Sequence, residues 1–168
     1  MLAAPKFQTR ALMIADCTKV IELNPNFAIA YYNRGLAKSD KGDFDGAIAD
    51  CTKAIELNPN FSIAYYNRGL ARRDEGDWNG AIADYTKALE LNPNFSIAYY
   101  NRGLAKEDKG DFDGAIADCT KAIELKPDYA NAYANRSAVK RAKGDLNGAN
   151  ADDAKSKELN SKLKGVSP

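Results

Sequence analysis

Histidine does not occur in the 168 residues of this chain. Its absence removes the commonest general base, the commonest metal ligand and the usual partner of a serine or cysteine nucleophile, so neither an enzyme nor a metal or cofactor site is expected. A surplus of one charge is missing too. Twenty-four Lys plus Arg stand against 23 Asp plus Glu, a net charge of +1, and no global field exists to draw in a phosphate backbone. Nucleic acid is therefore not an expected partner. No uninterrupted apolar run approaches the roughly 18 residues of a spanning helix, and the opening MLAAPKFQTR lacks a secretory apolar stretch. The chain reads as soluble and untargeted, without a membrane partner.

What is present is a period. The segments IELNP, IELNP, LELNP and IELKP place Pro25, Pro59, Pro93 and Pro127 34 residues apart. The same spacing aligns Gly35, Gly69 and Gly103; Gly42, Gly76, Gly110 and Gly144; and Ala47, Ala81, Ala115 and Ala149. Within one unit, residues 26–38 read as a helix opening after a proline break, with Asn26 as its expected N-cap. Gly42 can take a left-handed C′ conformation, and Asp43 then caps a second helix whose apolar positions Phe44, Ala47, Ile48, Cys51, Ala54, Ile55 and Leu57 recur at spacings of three and four. Asn58-Pro59 stops it. Each unit is a helix hairpin.

The pattern Tyr31, Gly35, Gly42, Ala47, Ala54, Pro59 and its two recurrences resemble the tetratricopeptide-repeat signature over nearly the whole chain. The resemblance implies an all-α, right-handed superhelical solenoid of antiparallel helix hairpins, and a protein or peptide partner. The expected organisation is one solenoid over 1–168. It has a partial repeat at 1–25 that supplies only a second helix, full repeats at 28–61, 62–95 and 96–129, a degenerate capping repeat at 130–163 and a tail at 164–168. In the last second helix, Asn150, Asp153, Ser156 and Lys157 replace apolar residues and are expected to face solvent, while Leu146, Ala149 and Leu159 face the partner helix.

In this family the first helix of each hairpin lines the concave face. The inward ladders are then Ile29, Ile63 and Ile97; Tyr32, Tyr66 and Tyr100; Asn33, Asn67, Asn101 and Asn135; Leu36, Leu70 and Leu104; and Asp40, Asp74 and Asp108. An asparagine offers both donor and acceptor, so such a column can pair with an extended peptide backbone, while the aspartates favour basic ligand residues. The competing reading is that the asparagines pack first helices together. A clamp for a terminal carboxylate is disfavoured, because Tyr32, Leu36, Ile63 and Asn67 stand where family members of that type carry Lys, Asn and Arg.

Four further features call for an account. Arg34, Arg68, Arg102 and Arg136 stand where the family more often has Leu, and either pair with acids such as Asp50, Asp84 or Asp118 or recruit a partner. Cys17, Cys51 and Cys119 share one repeat position and are expected in the core as free thiols, which fits a cytoplasmic location. Met13, Ile14, Cys17, Val20 and Ile21 lie on a helix without its first-helix partner, so this edge is expected to be covered either by residues 1–8 extending the helix or by another chain, a second copy included. Gly46, Gly80, Gly114 and Gly148 fall in the first turn of each second helix, where replacement by Ala is expected to gain up to about 1 kcal/mol.

Overall fold

The computed structural model describes residues 6–164. Among the described residues there are nine α-helices and no strand. The chain divides into two compact units, Met1–Leu91 and Asn92–Pro168. The first holds α1 (Lys6–Leu23), α2 (Ala28–Ser39), α3 (Phe44–Leu57), α4 (Ser62–Asp74) and α5 (Trp78–Leu91). The second holds α6 (Ser96–Asp108), α7 (Phe112–Leu125), α8 (Ala130–Ala142) and α9 (Leu146–Lys164).

Turn chemistry sets these boundaries. Gly42, Gly76, Gly110 and Gly144 all take φ between +81° and +86°, the left-handed conformation that costs a residue with a Cβ most. The next residue caps the following helix: the Asp43 carboxylate accepts from the Gly46 N–H at 3.0 Å, and Asp77, Asp111 and Asp145 do the same for Gly80, Gly114 and Gly148. The first helices start differently from expectation. Phe27, not Asn26, occupies the N-cap of α2 and makes no side-chain cap, because Asn24 Oδ1 accepts from the Asn26 N–H and Asn24 O from the Phe27 N–H. This asparagine turn around the proline recurs at Asn58 and Asn92.

The core of each hairpin is small and close-packed. A Cβ built on Gly35 would lie 3.2 Å from Cys51 Sγ and 3.3 Å from the Ala47 carbonyl oxygen, so α2 and α3 approach at a distance that glycine permits. Gly103 meets Cys119 and Ala115 in the same way. At the corresponding place in the last hairpin stands Ser137, whose buried hydroxyl donates to the Ala149 carbonyl at 2.9 Å. Between hairpins in the first unit, Ala54, Ile55 and Ala64 gather Tyr31, Tyr32, Phe61 and Tyr65, and in the second Ala122, Ile123 and Ala132 gather Tyr99, Tyr100, Tyr129 and Tyr133.

The last helix departs from expectation in detail. In α9, Asn150 and Lys157 are exposed as expected, but Ser156 is buried, because it takes the place of the fully buried Ala54 and Ala122 and is small enough to fit. Leu146 is 56% exposed and does not face α8. At the other end α1 continues back to Lys6, so residues 6–8 extend the helix as expected, and residues 1–5 lie outside the described residues. Cys17 is consequently half-buried, whereas Cys51 and Cys119 are fully enclosed.

Candidate functional site

The arginines are built into the hairpins. Arg34 donates from Nε and Nη2 to the two oxygens of Asp50 at 2.8 and 2.7 Å, and Lys38, one turn on, reaches the same carboxylate at 2.8 Å. Arg68 with Arg72 on Asp84, Arg102 with Lys106 on Asp118, and Arg136 with Lys140 on Asp152 repeat the arrangement. Each guanidinium also covers a tyrosine ring, Tyr31, Tyr65, Tyr99 or Tyr133, at 5.5 to 5.6 Å from the centroid. Arg34 donates across to Thr18 Oγ1 of α1 at 3.2 Å, Arg68 to Thr52 Oγ1 of α3 at 3.0 Å and Arg136 to Thr120 Oγ1 of α7 at 2.9 Å, so these three cations each join their own hairpin to the helix before it. Within each unit these arginines hold neighbouring helices together. Asp152, which in sequence looks like one more acid on a solvated helix, is their fourth buried anchor. Burial pushes its carboxyl up, but the hydrogen bonds from Arg136 and Lys140 outweigh that and leave it below the ordinary aspartate value.

The residues expected to contact a peptide fall into three groups. On α2 and α4, Tyr32, Asn33, Leu36, Ile63, Asn67 and Leu70 are all half-buried, and the two helices are adjacent: Asn67 Nδ2 donates to the Ile63 carbonyl at 2.8 Å and to the Tyr32 hydroxyl at 3.4 Å. Among the described residues no donor reaches Asn67 Oδ1 and no hydrogen bond involves the Asn33 side chain. Ile29 is 49% exposed on α2, and Ile97 41% exposed on α6, where Tyr100 and Leu104 are half-buried.

The second group is withdrawn from solvent or already engaged. Tyr66 and Asn101 are each only 7% exposed, with Tyr66 stacked obliquely on Tyr85 and Asn101 Nδ2 donating to the Ile97 carbonyl at 3.0 Å. Asn135 is spoken for on both sides: Nδ2 donates to Glu107 Oε2, and Oδ1 accepts from the Cys119 thiol at 2.9 Å. Glu107 has no acidic counterpart in the preceding repeats, where Ser39 and Arg73 stand, so the period alone did not signal this contact. The third group is acidic. Asp40, Asp74 and Asp108 are exposed, but Asp40 is paired with Arg10 of α1 at 3.0 Å and Asp74 with Arg73 at 3.2 Å.

The edge residues of α1 divide by which side they face. Ile14, Cys17 and Ile21 are half-buried, while Met13 and Val20 are exposed. Thiol chemistry is muted at all three cysteines. Burial raises each thiol above its ordinary value, modestly at Cys17 and up to about 12 at Cys51 and Cys119. Among the described residues no group of His, Cys, Asp and Glu is placed to hold a metal ion, and no helix is long and apolar enough to cross a membrane.

Comparison with known proteins places this geometry. Family models described as "Tetratricopeptide repeat" match residues 28–61, 96–129 and 51–83, and one described as "TPR repeat" matches residues 69–110. No curated relative matches the chain. Among solved structures, a crystal structure of MamA is similar with a TM-score of 0.89 and 26% identity, over 98% of this chain and 100% of that one. The first TPR of Spaghetti (RPAP3), bound to the HSP90 peptide SRMEEVD, is similar with a TM-score of 0.69 and 25% identity, over 70% of this chain and 93% of that one. The Arabidopsis OM64 TPR domain is similar with a TM-score of 0.67 and 26% identity, over 68% of this chain and 95% of that one. With repeat matches running through residues 28–129 and these helix hairpins beneath them, the chain belongs to the tetratricopeptide repeat family of protein-interaction scaffolds.

Proposed function

We propose that the chain holds an extended polypeptide segment against α2 and α4, the first helices of the two full hairpins in its first unit. The observation that carries this reading is the state of two asparagines. Asn33 spends no side-chain hydrogen bond within the described residues, and Asn67 keeps its carbonyl oxygen available beside half-buried Tyr32, Ile63 and Leu70. An extended backbone offers N–H and C=O groups at intervals, and asparagine matches either. The tyrosine and aliphatic neighbours supply contact area at low entropic cost.

The similar RPAP3 repeat domain binds a peptide ending in EVD. A terminal carboxylate is not the ligand proposed here, because Tyr32, Leu36, Ile63 and Asn67 present no cation to receive one. The segment is internal, with aliphatic side chains. Free, buried thiols suit a reducing compartment, and the proposed location is the cytoplasm. The test is selection from a displayed library of internal and carboxy-terminal peptides, followed by affinity measurement. Internal peptides should be enriched, and Asn33→Ala combined with Asn67→Ala should weaken them about tenfold or more, the worth of one to two hydrogen bonds. Full affinity in the double variant, or enrichment of carboxy-terminal peptides alone, rejects the reading.

Association of copies through α1 is a second reading, which the exposed Met13 and Val20 support. Light scattering against concentration tests it, and a strict monomer rules it out.

A further inference from the structure

Each second helix that follows a left-handed glycine carries, in its first turn, an acid or amide followed by glycine: Asp45-Gly46, Asn79-Gly80, Asp113-Gly114 and Asn147-Gly148. Glycine suits the cap, since a Cβ there would lie 2.0 to 2.3 Å from a carboxylate oxygen of Asp43, Asp77, Asp111 or Asp145. It also leaves the backbone open to chemistry. A nitrogen with no side chain beside it is the least hindered nucleophile for the side-chain carbonyl carbon of the residue before. At Asn79 and Asn147 that carbon bears an amide, so ring closure has ammonia as its leaving group. Both asparagines are exposed, and no other asparagine of the chain precedes glycine.

One hydrogen bond guards each site. The first N–H groups of a helix have no partner within it, and the aspartate cap takes their place: Gly80 N–H donates to Asp77 Oδ1 at 2.9 Å, and Gly148 N–H to Asp145 Oδ1 at 2.9 Å. While the cap holds, the nitrogen is turned towards the carboxylate and away from the asparagine side chain. The two guards are braced differently. On α5, Arg72 donates to the Gly80 carbonyl at 3.4 Å and lies 3.9 Å from Asp77 Oδ2. On α9, among the described residues, no side chain donates to the Gly148 carbonyl and no cation pairs with Asp145.

We propose that Asn79-Gly80 and Asn147-Gly148 are sites of self-modification, at which an amide becomes a carboxylate when the aspartate cap before it lets go. Helix ends open far more often than the whole fold, so the cap sets the rate. The glycine nitrogen gives its proton to hydroxide and bonds to the asparagine Cγ. The Cγ–Nδ2 bond breaks, Nδ2 takes a proton from water and leaves as ammonia, and a five-membered succinimide remains. Water then opens the ring. Opening at Cγ yields aspartate, the residue that α3 and α7 carry at this place, and its charge suits a helix N-terminus. Opening at the backbone carbonyl yields isoaspartate, whose main chain is longer by one methylene and takes the cap out of register. Either branch adds an acid. Conversion at both sites raises Asp plus Glu from 23 to 25 against 24 Lys plus Arg, and the formal net charge passes from +1 to −1.

The test keeps the full chain in mildly alkaline buffer and follows it over days by ion exchange, with peptide mapping after digestion in acid. Two more acidic species should appear in turn, the first changed at residue 147 and the second also at residue 79, which Arg72 braces. In water enriched in oxygen-18, each new carboxyl should take up a labelled oxygen. Asp77→Ala should speed conversion at residue 79 about fivefold, the ratio that a cap of about 1 kcal/mol represents, and leave residue 147 unchanged. Asp145→Ala should do the reverse. The absence of acidic species, or conversion spread over asparagines that do not precede glycine, overturns the proposal. So does equal acceleration of both sites by Asp77→Ala, since opening of the whole chain is then the gate.

Discussion

Arg68 and Asp84 face each other through two parallel hydrogen bonds, Nε to Oδ2 at 2.9 Å and Nη2 to Oδ1 at 2.7 Å, and a second cation, Arg72 at 2.8 Å, completes the charge around a carboxylate that is almost wholly buried. Such a site stabilises only when complete. Removing the acid leaves two partly buried cations without a counter-ion, which costs more than the pair itself contributes. Asp84→Ala should therefore lower stability by about 3 kcal/mol in urea unfolding. Asp16→Ala, at the matching position of α1 but exposed and unpaired among the described residues, should change it by less than about 0.5 kcal/mol. Equal losses at the two sites would mean that sequence position, not burial with its cations, sets the cost.

The buried thiols make stability fall in alkali. Cys51 and Cys119 keep their protons in the folded chain up to about 12, against an ordinary value of 9.0, so between those values the unfolded chain releases protons that the folded chain holds. Their contribution is complete below pH 9.0 and is lost as pH climbs towards 12, by about 1.4 kcal/mol per pH unit and per thiol. Chemical unfolding at a series of pH values should show this slope. Cys51→Ala with Cys119→Ala should make it shallower, even though the doubly substituted chain starts less stable at neutral pH.

Alkylation should rank the same residues. Cys17 is half-buried while Cys51 and Cys119 are enclosed, so iodoacetamide at pH 8 should modify it first, with Cys51 and Cys119 reacting only as the chain opens. Peptide mapping against time reads the order directly. Simultaneous modification of all three would show that the hairpins open faster than the reagent discriminates.

Glycine in the first turn of the second helices has a reason that helix propensity does not contain. A Cβ on Gly80 would lie 2.0 Å from Asp77 Oδ2 and 2.9 Å from Arg72 Cδ, so the capping carboxylate, whose other oxygen accepts from the Gly80 N–H, must shift to admit it. The gain of up to about 1 kcal/mol expected of Gly80→Ala is offset by the loss of a cap of similar worth, and the melting temperature should not rise. The cleaner measurement is a cycle. Asp77→Ala should cost about 1 kcal/mol in the parent chain and close to nothing once Gly80→Ala is present. Additive losses would show that the carboxylate keeps its cap beside the alanine.

Much of the fold was legible because the period repeats both the turns and the small residues. The left-handed glycine before each capping aspartate, and the alanines that let helices approach, follow from single residue types at fixed spacing. The Arg34 to Asp50 pairing was foreseeable as a guanidinium needing an acid. What escaped depends on neighbours outside the period. Asp152 looked like a surface acid because Asp153 and Glu158 lie near it in sequence, yet only Asp152 points at Arg136. Asn135 looked like its fellow asparagines until Glu107, a residue of one repeat alone, took its amide. Phe27 displaced Asn26 from the cap because the turn around Pro25 is closed by Asn24. The side chains of Asn33 and Asn67 could be named from the ladder, but which asparagines remain open to a ligand could be read only from the hydrogen bonds each one makes.

The helices Phe44–Leu57 and Phe112–Leu125 have one and the same sequence, FDGAIADCTKAIEL, and enter with N-cap angles within a few degrees of each other. A slippage in the coding DNA that joined the start of the first copy to the start of the second would delete 68 residues, the difference between 44 and 112. The shortened chain would have no novel junction: α2 would meet a helix identical to the one it now packs on, and that helix would lead into α8 as α7 does already. Its length can change in heredity by whole multiples of a hairpin while each second helix keeps the first-helix surface it already packs on, and only contacts between first helices, such as that of Glu107 with Asn135, would be made anew.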